Sequence, residues 1–275
     1  MLLLKLQAKV RVSLGVVLPL SAFFEANNLG DMAAKIRETA SSNTIDWTTE
    51  TSVTELALEA GDLKLPDNIS KASGGKTIAL TGATGFLGRA ILKQLVADEG
   101  VAQIHCVSVR PNADGSQRKL AVESDKAVFH SGDMTSPVLA LTEEAFATLA
   151  VSVDMIIHSG AMRAFFEYFQ LVRKTNTTST RELIKMALPR KIPVQFVSSG
   201  GLLTLSSGNI SAESSVAHLL PPTDGTESYL CSKWASEVSL ENAAAQFGFP
   251  ICITVVWGFQ AVATKRNWKI LTGAF

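Results

Sequence analysis

Tyr229 and Lys233 stand four positions apart in Tyr229-Leu230-Cys231-Ser232-Lys233, a spacing that places both on one face of a helix. A free tyrosine, with a pKa near ~10, is a poor proton donor or acceptor at neutral pH. An ammonium group one turn away favours the phenolate and can also hold ribose hydroxyls. Earlier in the chain, Ser198-Ser199 closes a short apolar run. A hydroxyl from Ser199 can hold the oxygen of a reacting carbonyl, whereas Ser198, one step back on a strand, points to the other face. The chemistry these three residues support is proton transfer at a carbonyl oxygen.

A second constellation lies further upstream, in Leu80-Thr81-Gly82-Ala83-Thr84-Gly85-Phe86-Leu87-Gly88. The apolar run Thr77 to Leu80 leads into three spaced glycines, and an apolar-periodic helix follows with Phe86, Leu87, Ile91, Leu92 and Leu95. Strand, glycine turn and helix in that order bind a dinucleotide. Gly82 permits the tight turn, Gly85 lets a pyrophosphate approach, and Gly88 allows close packing of helix on strand. The helix N-terminus faces the phosphates, so Thr84, Phe86 and Leu87 join the glycines as cofactor contacts. Ser73-Gly74-Gly75-Lys76-Thr77 resembles a P-loop but lacks its first glycine, where Ser70 stands, and precedes a strand instead of following one.

The elements that must position these residues alternate from position 76 onward. Strands are expected at Thr77 to Leu80, Gln103 to Val109, Ala127 to His130, Asp154 to His158, Val194 to Ser198 and Ile251 to Val256. Helices are expected over 86–98, 163–188 and 228–247. Such alternation implies an α/β fold, a Rossmann-type doubly wound parallel sheet with its ligand at the carboxyl ends of the strands. Arg110 follows the second strand, where an NAD site places an acidic residue. A guanidinium there pairs a 2′-phosphate, which favours NADP, although a solvated surface arginine satisfies the same position. Asp133 and Met134 follow the third strand, where the adenine is met; Asp133 fits a plain turn residue equally well.

Composition sets the outer bounds. The 275 residues carry no net charge and are 47% hydrophobic, which suits a large core and gives no sign of a nucleic-acid groove or a polybasic membrane patch. Three widely spaced cysteines and four scattered histidines suggest reduced thiols in a cytoplasmic protein and no metal. The apolar N-terminus is interrupted by Lys5, Lys9, Arg11 and Pro19, so it reads as neither a signal peptide nor a membrane span. Instead Leu3, Leu6, Val10 and Leu14 share a helical face. A further helix runs from Leu29 to Thr39, with Asn28 as N-cap and Leu29, Met32, Ala33 and Ile36 facing inward. Residues 41–75 are polar and read as a linker.

Two resemblances give these parts a common meaning. Leu4 to Val10, Gly15 to Leu20, Phe23-Phe24-Glu25 and Leu29 to Ala33 resemble the second half of a peptidyl carrier domain of nonribosomal peptide synthetases. On that alignment the phosphopantetheine-bearing serine would lie just before Met1, so residues 1–40 are expected to be a partial carrier domain lacking its serine. Tyr229, Lys233 and Ser199, after a glycine turn, resemble the proton-transfer set of short-chain dehydrogenases/reductases. Ile156 to Ala161, Leu171 to Asn176, Ser198-Ser199-Gly200-Gly201, Pro221 to Gly225 and Ser232 to Glu237 narrow the resemblance. They are similar to the terminal thioester reductase domain of fungal hybrid polyketide–nonribosomal peptide synthetases.

The resemblance implies that 76–258 bind NADPH and reduce an acyl or peptidyl thioester held on a phosphopantetheine carrier, releasing an aldehyde or alcohol. Ser199 and Tyr229 would steady the oxyanion, Tyr229 would be the general acid tuned by Lys233, and Ser159, Gly160 and Ala161 would line the cofactor site. Asn176 takes the place of a structural asparagine, or of a residue on the helix surface. Where the family has an Arg-Pro pair, this chain reads Val255-Val256-Trp257-Gly258, and residues 259–275 follow no family pattern. The substrate subdomain is therefore expected to be missing and the chain to be a fragment. An inactive nucleotide-binding remnant, Dieckmann-type cyclisation and a nucleotide-sugar epimerase are the competing readings.

Overall fold

A computed structural model of the protein describes every residue except 1, 17, 43–44, 68–73, 117, 120–121, 165–167, 206–214, 220–227 and 257–275. The Pro221 to Gly225 motif, the atypical tail and Ser70 to Ser73 of the P-loop-like run lie outside the described residues. Six strands form one sheet: β1 (Lys76–Thr81), β2 (Val101–Val109), β3 (Ala127–Ser131), β4 (Met155–His158), β5 (Val194–Ser199) and β6 (Ile251–Val256). Their order is β3-β2-β1-β4-β5-β6, and every neighbouring pair is parallel. The expected doubly wound sheet is present, with each strand within two residues of its expected ends. The order reverses between β1 and β4, so a crevice opens at their carboxyl ends.

Both faces of the sheet are covered, which explains why β1 reads as a nearly unbroken apolar run. Ile78 and Leu80 point to one face with Ile104 and Cys106, against Leu92 and Leu95 of α6 (Phe86–Ala97). Ala79 points to the other with Val107, Ile156 and Phe196. There it meets α7 (Glu143–Ser152), α9 (Ser179–Ala187) and α10 (Ser228–Phe247). A short helix α8 (Phe169–Arg173) leads into α9 through a π-helical turn, Lys174–Thr178. Helix α7 was not expected from the pattern, yet its start is marked by a cap: Thr142 accepts a hydrogen bond from Ala145 N at 3.1 Å, ahead of Glu143 and Glu144.

The N-terminal unit is small, with α1 (Leu2–Leu14), α2 (Leu20–Glu25) and α3 (Leu29–Ser42) around Val10, Leu18 and Phe23. Leu3, Leu6, Met32 and Ile36 pack on that cluster as expected, and Asn28 Oδ1 caps α3 by accepting Asp31 N at 2.9 Å. Leu14, Leu29 and Ala33 are exposed instead. Leu14 and Leu29 occupy terminal turns, beyond the reach of a cluster this small.

The stretch expected as a linker is not structureless. It forms α4 (Trp47–Thr51) and α5 (Thr54–Gly61). Asp46 caps α4 by accepting Thr48 N at 3.1 Å and Thr49 N at 3.3 Å. The Trp47 ring meets Phe169 edge-on at 5.1 Å and Trp234 at 5.4 Å, while Val53 and Leu56 enter the main core. Polar contacts add to this: Glu50 pairs with Arg173 at 2.6 Å, and Asn242 Nδ2 donates to Thr51 O at 3.1 Å. Helices of five and eight residues are too short for a helical period to show, so the polar composition dominates the sequence pattern.

Because Trp47 is wedged between α8 and α10, Trp47→Ala should lower stability by about 3 kcal/mol in chemical denaturation. A loss below about 0.5 kcal/mol would be the behaviour of a linker residue on the surface.

Candidate active site

The glycine turn is fixed by contacts that leave no room for side chains. Gly82 adopts φ +75°, and a Cβ on it would stand 2.6 Å from both Cα and N of Gly160, at the end of β4. A Cβ on Gly88 would lie 1.9 Å from Gly82 O. The first residue thus lets two strand ends close on each other, and the second lets α6 sit directly on the turn. Gly85 occupies the N-cap of α6 and brings no side-chain oxygen to its first turn. The amide dipoles there point toward the cleft.

Polar side chains lock the ends of β1 and β4 together. Ser159 Oγ donates to Thr81 O at 2.8 Å, and Gly160 N donates to Thr81 Oγ1 at 3.2 Å. Thr81 Oγ1 also lies 2.7 Å from His158 Nδ1, and His158 Nε2 lies 3.2 Å from Thr180 Oγ1. His158 is buried, and burial together with the Lys233 charge pushes its pKa down to about 3.

A cleft of ≈ 530 Å³ opens at this point. Gly82, Thr84, Gly85, Phe86, Leu87 and Gly88 form one wall, and Ser159, Gly160, Ala161 and Met134 form the floor. Arg110 lies at one end, and Ser199, Tyr229 and Lys233 at the other. All the residues singled out for a cofactor or for catalysis are here except Asp133. That carboxylate stands behind the rim: it pairs with Arg110 Nη2 at 2.9 Å and accepts Thr135 N and Thr135 Oγ1, each at 2.8 Å. Burial acts upward on Asp133, but these hydrogen bonds prevail and hold its pKa below the ordinary value. Its turn-residue reading is the one the contacts fit.

Several lining residues were not foreseen: Ser108, Arg118, Met162, Arg163, Thr175, Val197, Ser198 and Val256. Ser108 takes φ +57° where the β2–β3 register shifts between Cys106 and Val109, an irregularity that alters where the end of β2 is aimed. Arg118 brings a second guanidinium to the end of the cleft that holds Arg110. No pattern marked Arg118, because the long β2–β3 connection has no period to place it.

At the other end, Lys233 is 2% exposed. Its Nζ donates to Val197 O at 2.7 Å and stands 4.3 Å from the Phe196 ring centre. Burial lowers its pKa to about 7, against the supporting charge of Glu237. Tyr229 departs from the expectation that Lys233 would ease its ionisation. Burial raises the Tyr229 pKa, and the opposing charge is that of Arg163, whose Cζ lies 5.8 Å from the ring centre. Lys233 Nζ lies 5.9 Å from that centre and turns toward Val197. The resting phenol is therefore protonated.

The two serines differ. Ser198 is buried and its hydroxyl donates to Glu237 Oε1, while Ser199 is half-buried and its Oγ accepts Gly201 N at 3.3 Å. Both nevertheless border the cleft. Asn176 is buried and not on a helix surface. Its Oδ1 accepts Met162 N at 2.7 Å, and its Nδ2 donates to Met162 O at 2.9 Å and to Ser232 Oγ at 2.8 Å. It ties the segment after β4 to the helix that carries Tyr229.

Residues 80–256 match a sequence family described as Male sterility protein. The hybrid PKS-NRPS synthetase buaA of Petromyces alliaceus is 43% identical over 252 residues, which is 92% of this chain and 6% of that protein. Among solved structures, the terminal R domain from the myxalamid PKS-NRPS biosynthetic pathway is similar at 28% identity with a TM-score of 0.54, over 73% of this chain and 55% of that one. A thiolation-reductase di-domain from an archaeal non-ribosomal peptide synthetase shares the fold, at 19% identity and a TM-score of 0.53, over 90% of this chain and 54% of its own. The chain thus spans a small part of the synthetase and about half of each solved chain. Among the described residues no helix is long and apolar enough to cross a membrane.

The His158 environment makes a prediction about stability. Its folded pKa of about 3 lies below the ordinary histidine value, so the unfolded chain binds the extra proton. This group costs no stability above about pH 6.5, and the loss grows as pH falls toward 3. Thermal melts should show about 2 kcal/mol lost to this residue alone at pH 5. His158→Asn should flatten that limb, and an unchanged slope would place the acid sensitivity elsewhere.

Proposed function

The chain belongs to the Male sterility protein family of NAD-binding domains and is homologous to the reductase domains of hybrid synthetases, and from that premise we propose that it is an NADPH-dependent thioester reductase. The observation that carries this reading is the one cleft in which a phosphate-compatible glycine turn, Arg110, Arg118, Ser199, Tyr229 and Lys233 converge.

The cleft fits a dinucleotide on its own geometry. The places where Gly82 and Gly88 lie are places a Cβ would clash with backbone, and the α6 N-terminus supplies oriented amides for a pyrophosphate. Thr84 to Gly88 would hold the pyrophosphate, Met134 the adenine, Ser159 to Ala161 the middle of the cofactor, and Arg110 with Arg118 a 2′-phosphate. When bound, the reduced nicotinamide supplies the hydride.

The chain's own residues supply the rest. Ser199 and Tyr229 would donate hydrogen bonds to the thioester oxygen as it gains negative charge. The protonated phenol of Tyr229 is the form a general acid requires, and its raised pKa keeps that form at neutral pH. Lys233 would hold ribose hydroxyls and stabilise the phenolate left after proton transfer, once its ammonium turns from Val197 O. Loss of the thiol would release an aldehyde, and a second round would give an alcohol. The substrate class is an acyl or peptidyl thioester on a phosphopantetheine arm, presented by a carrier domain of the kind the first 40 residues resemble. The location this reading proposes is cytoplasmic, which three widely spaced cysteines fit.

The purified chain should bind NADPH at least roughly tenfold tighter than NADH in calorimetry, and Arg110→Ala should remove most of that preference. It should oxidise NADPH with an acyl-pantetheine thioester, and Tyr229→Phe should lower the rate by about 10²–10⁴. Binding without oxidation is the outcome expected of a nucleotide-binding remnant, and cyclised product without NADPH oxidation that of a Dieckmann-type release domain. Preference for NADH would overturn the roles given to Arg110 and Arg118.

A further inference from the structure

Glu237 lies one helical turn beyond Lys233 on α10, on the same face, and is 3% exposed. A carboxylate so deep is retained only where it is hydrogen-bonded and has a charge to answer. Its Oε1 accepts the Ser198 hydroxyl, which removes Ser198 from any part in holding substrate. It also borders a second cavity of ≈ 300 Å³, together with Ser199, Ser215, Glu241 and Ile253. In that cavity the Ser215 hydroxyl donates to Glu241, so a carboxylate faces Glu237 from the next turn of the same helix.

We propose that Glu237, held in place by Ser198, is a positioning residue for the reaction: it is the counter-charge that keeps Lys233 an ammonium inside the core. This rests on the reductase reading for its consequence in turnover, and on the shared helix face, the common burial and the Ser198 contact for its effect on Lys233. The other charged and titratable groups around the pair have different work. On α10 itself stand Tyr229 and Glu241; on β4 stands His158, held neutral between Thr81 and Thr180; after β4 comes Arg163, set against the Tyr229 ring. Strand β5 contributes neutral groups, the Val197 carbonyl, the Ser198 hydroxyl and the Phe196 ring.

The energetics agree in sign. Burial alone drives Lys233 toward the neutral amine, and Glu237 is the group that opposes it, leaving a pKa of about 7. Burial raises Glu237 in turn, to about 7; the Ser198 hydrogen bond lowers it, Glu241 raises it, and Lys233 lowers it. Removing the carboxylate should therefore shift Lys233 further down. Removing the Ser198 hydroxyl should act in the same direction and less strongly, by weakening the carboxylate form of Glu237.

The test is a titration of Lys233 in the full chain without cofactor, followed by NMR of lysine side chains labelled with ¹⁵N and assigned through Lys233→Met. In Glu237→Gln, an isostere that still accepts the Ser198 hydrogen bond, Lys233 should lose its proton about one pH unit earlier than in the wild type. Ser198→Ala should give a smaller shift of the same sign, and Glu237→Asp should recover most of the wild-type value. An unchanged Lys233 titration in Glu237→Gln overturns the proposal, and if that variant does not fold, an unchanged titration in Ser198→Ala does so. In the NADPH-oxidation assay, the alkaline limb of kcat/KM should move to lower pH with Glu237→Gln, whereas a uniform loss at every pH would indicate a structural role only. If the wild type does not oxidise NADPH, the reductase reading fails while the NMR titration still decides the place of Glu237.

Discussion

The cleft depends first on how closely the ends of β1 and β4 approach. The chain leaves these two paired strands toward opposite halves of the sheet, which opens a crevice at their ends, and Thr81 holds its base together. Its hydroxyl meets both Gly160 N and His158 Nδ1, and its carbonyl accepts Ser159 Oγ. Gly82 and Gly160 then pass at a distance that excludes any side chain. A Cβ on Gly82 would meet the Gly160 backbone and push the strand ends apart, whereas one on Gly160 would first displace the Met134 side chain from the cleft. With the strand ends apart, the oriented amides at the start of α6 would no longer face the space between the strands. The neutral His158 belongs to the same arrangement, because a charged imidazole could not sit buried between two hydroxyls and the Phe196 ring.

The second constraint is the burial of α10. Most of its first three turns are enclosed, and the enclosure is made possible by small residues: Ser232, Ser236 and Ser239 return their hydroxyls to carbonyls of their own helix. Asn176, in the π-helical turn before α9, reaches Ser232 and grips Met162 as well. One residue thereby sets the distance between the floor of the cleft and the helix bearing Tyr229 and Lys233. Burial gives this end of the cleft its electrostatic character: it raises the Tyr229 pKa and lowers that of Lys233, the latter against the supporting charge of Glu237. Trp47 braces the outer side of the same helix through Trp234, so a segment far away in sequence supports the helix that bears Tyr229 and Lys233.

The sheet was legible in the sequence almost to the residue, because strands buried on both faces read as apolar runs and turn glycines punctuate them. The glycine turn, Ser199, Tyr229 and Lys233 were legible for a related reason: each is a short-range pattern in which spacing alone fixes a shared face. Other features were not legible. Helices α4 and α5 were hidden because neither is long enough to display a period. Arg118 stands in an irregular connection, where position in the chain says nothing about position in space. Glu237 closed a motif that marked the family but no role, since its environment is made by Ser198 on a strand and Glu241 on the next turn.

The chain order of strand, glycine turn and helix, the arginine after β2 and the four-residue step from Tyr229 to Lys233 were therefore determined by the sequence itself, because local geometry follows from local spacing. Whether Tyr229 rests as phenol or phenolate was decided only by the tertiary structure. The sequence offered Lys233 as its nearest charge. Folding turned that ammonium toward Val197 O and set Arg163 over the ring instead, while burial outweighed the Arg163 charge. Protonation in a protein interior is governed by desolvation and by through-space charge, and neither is a function of distance along the chain.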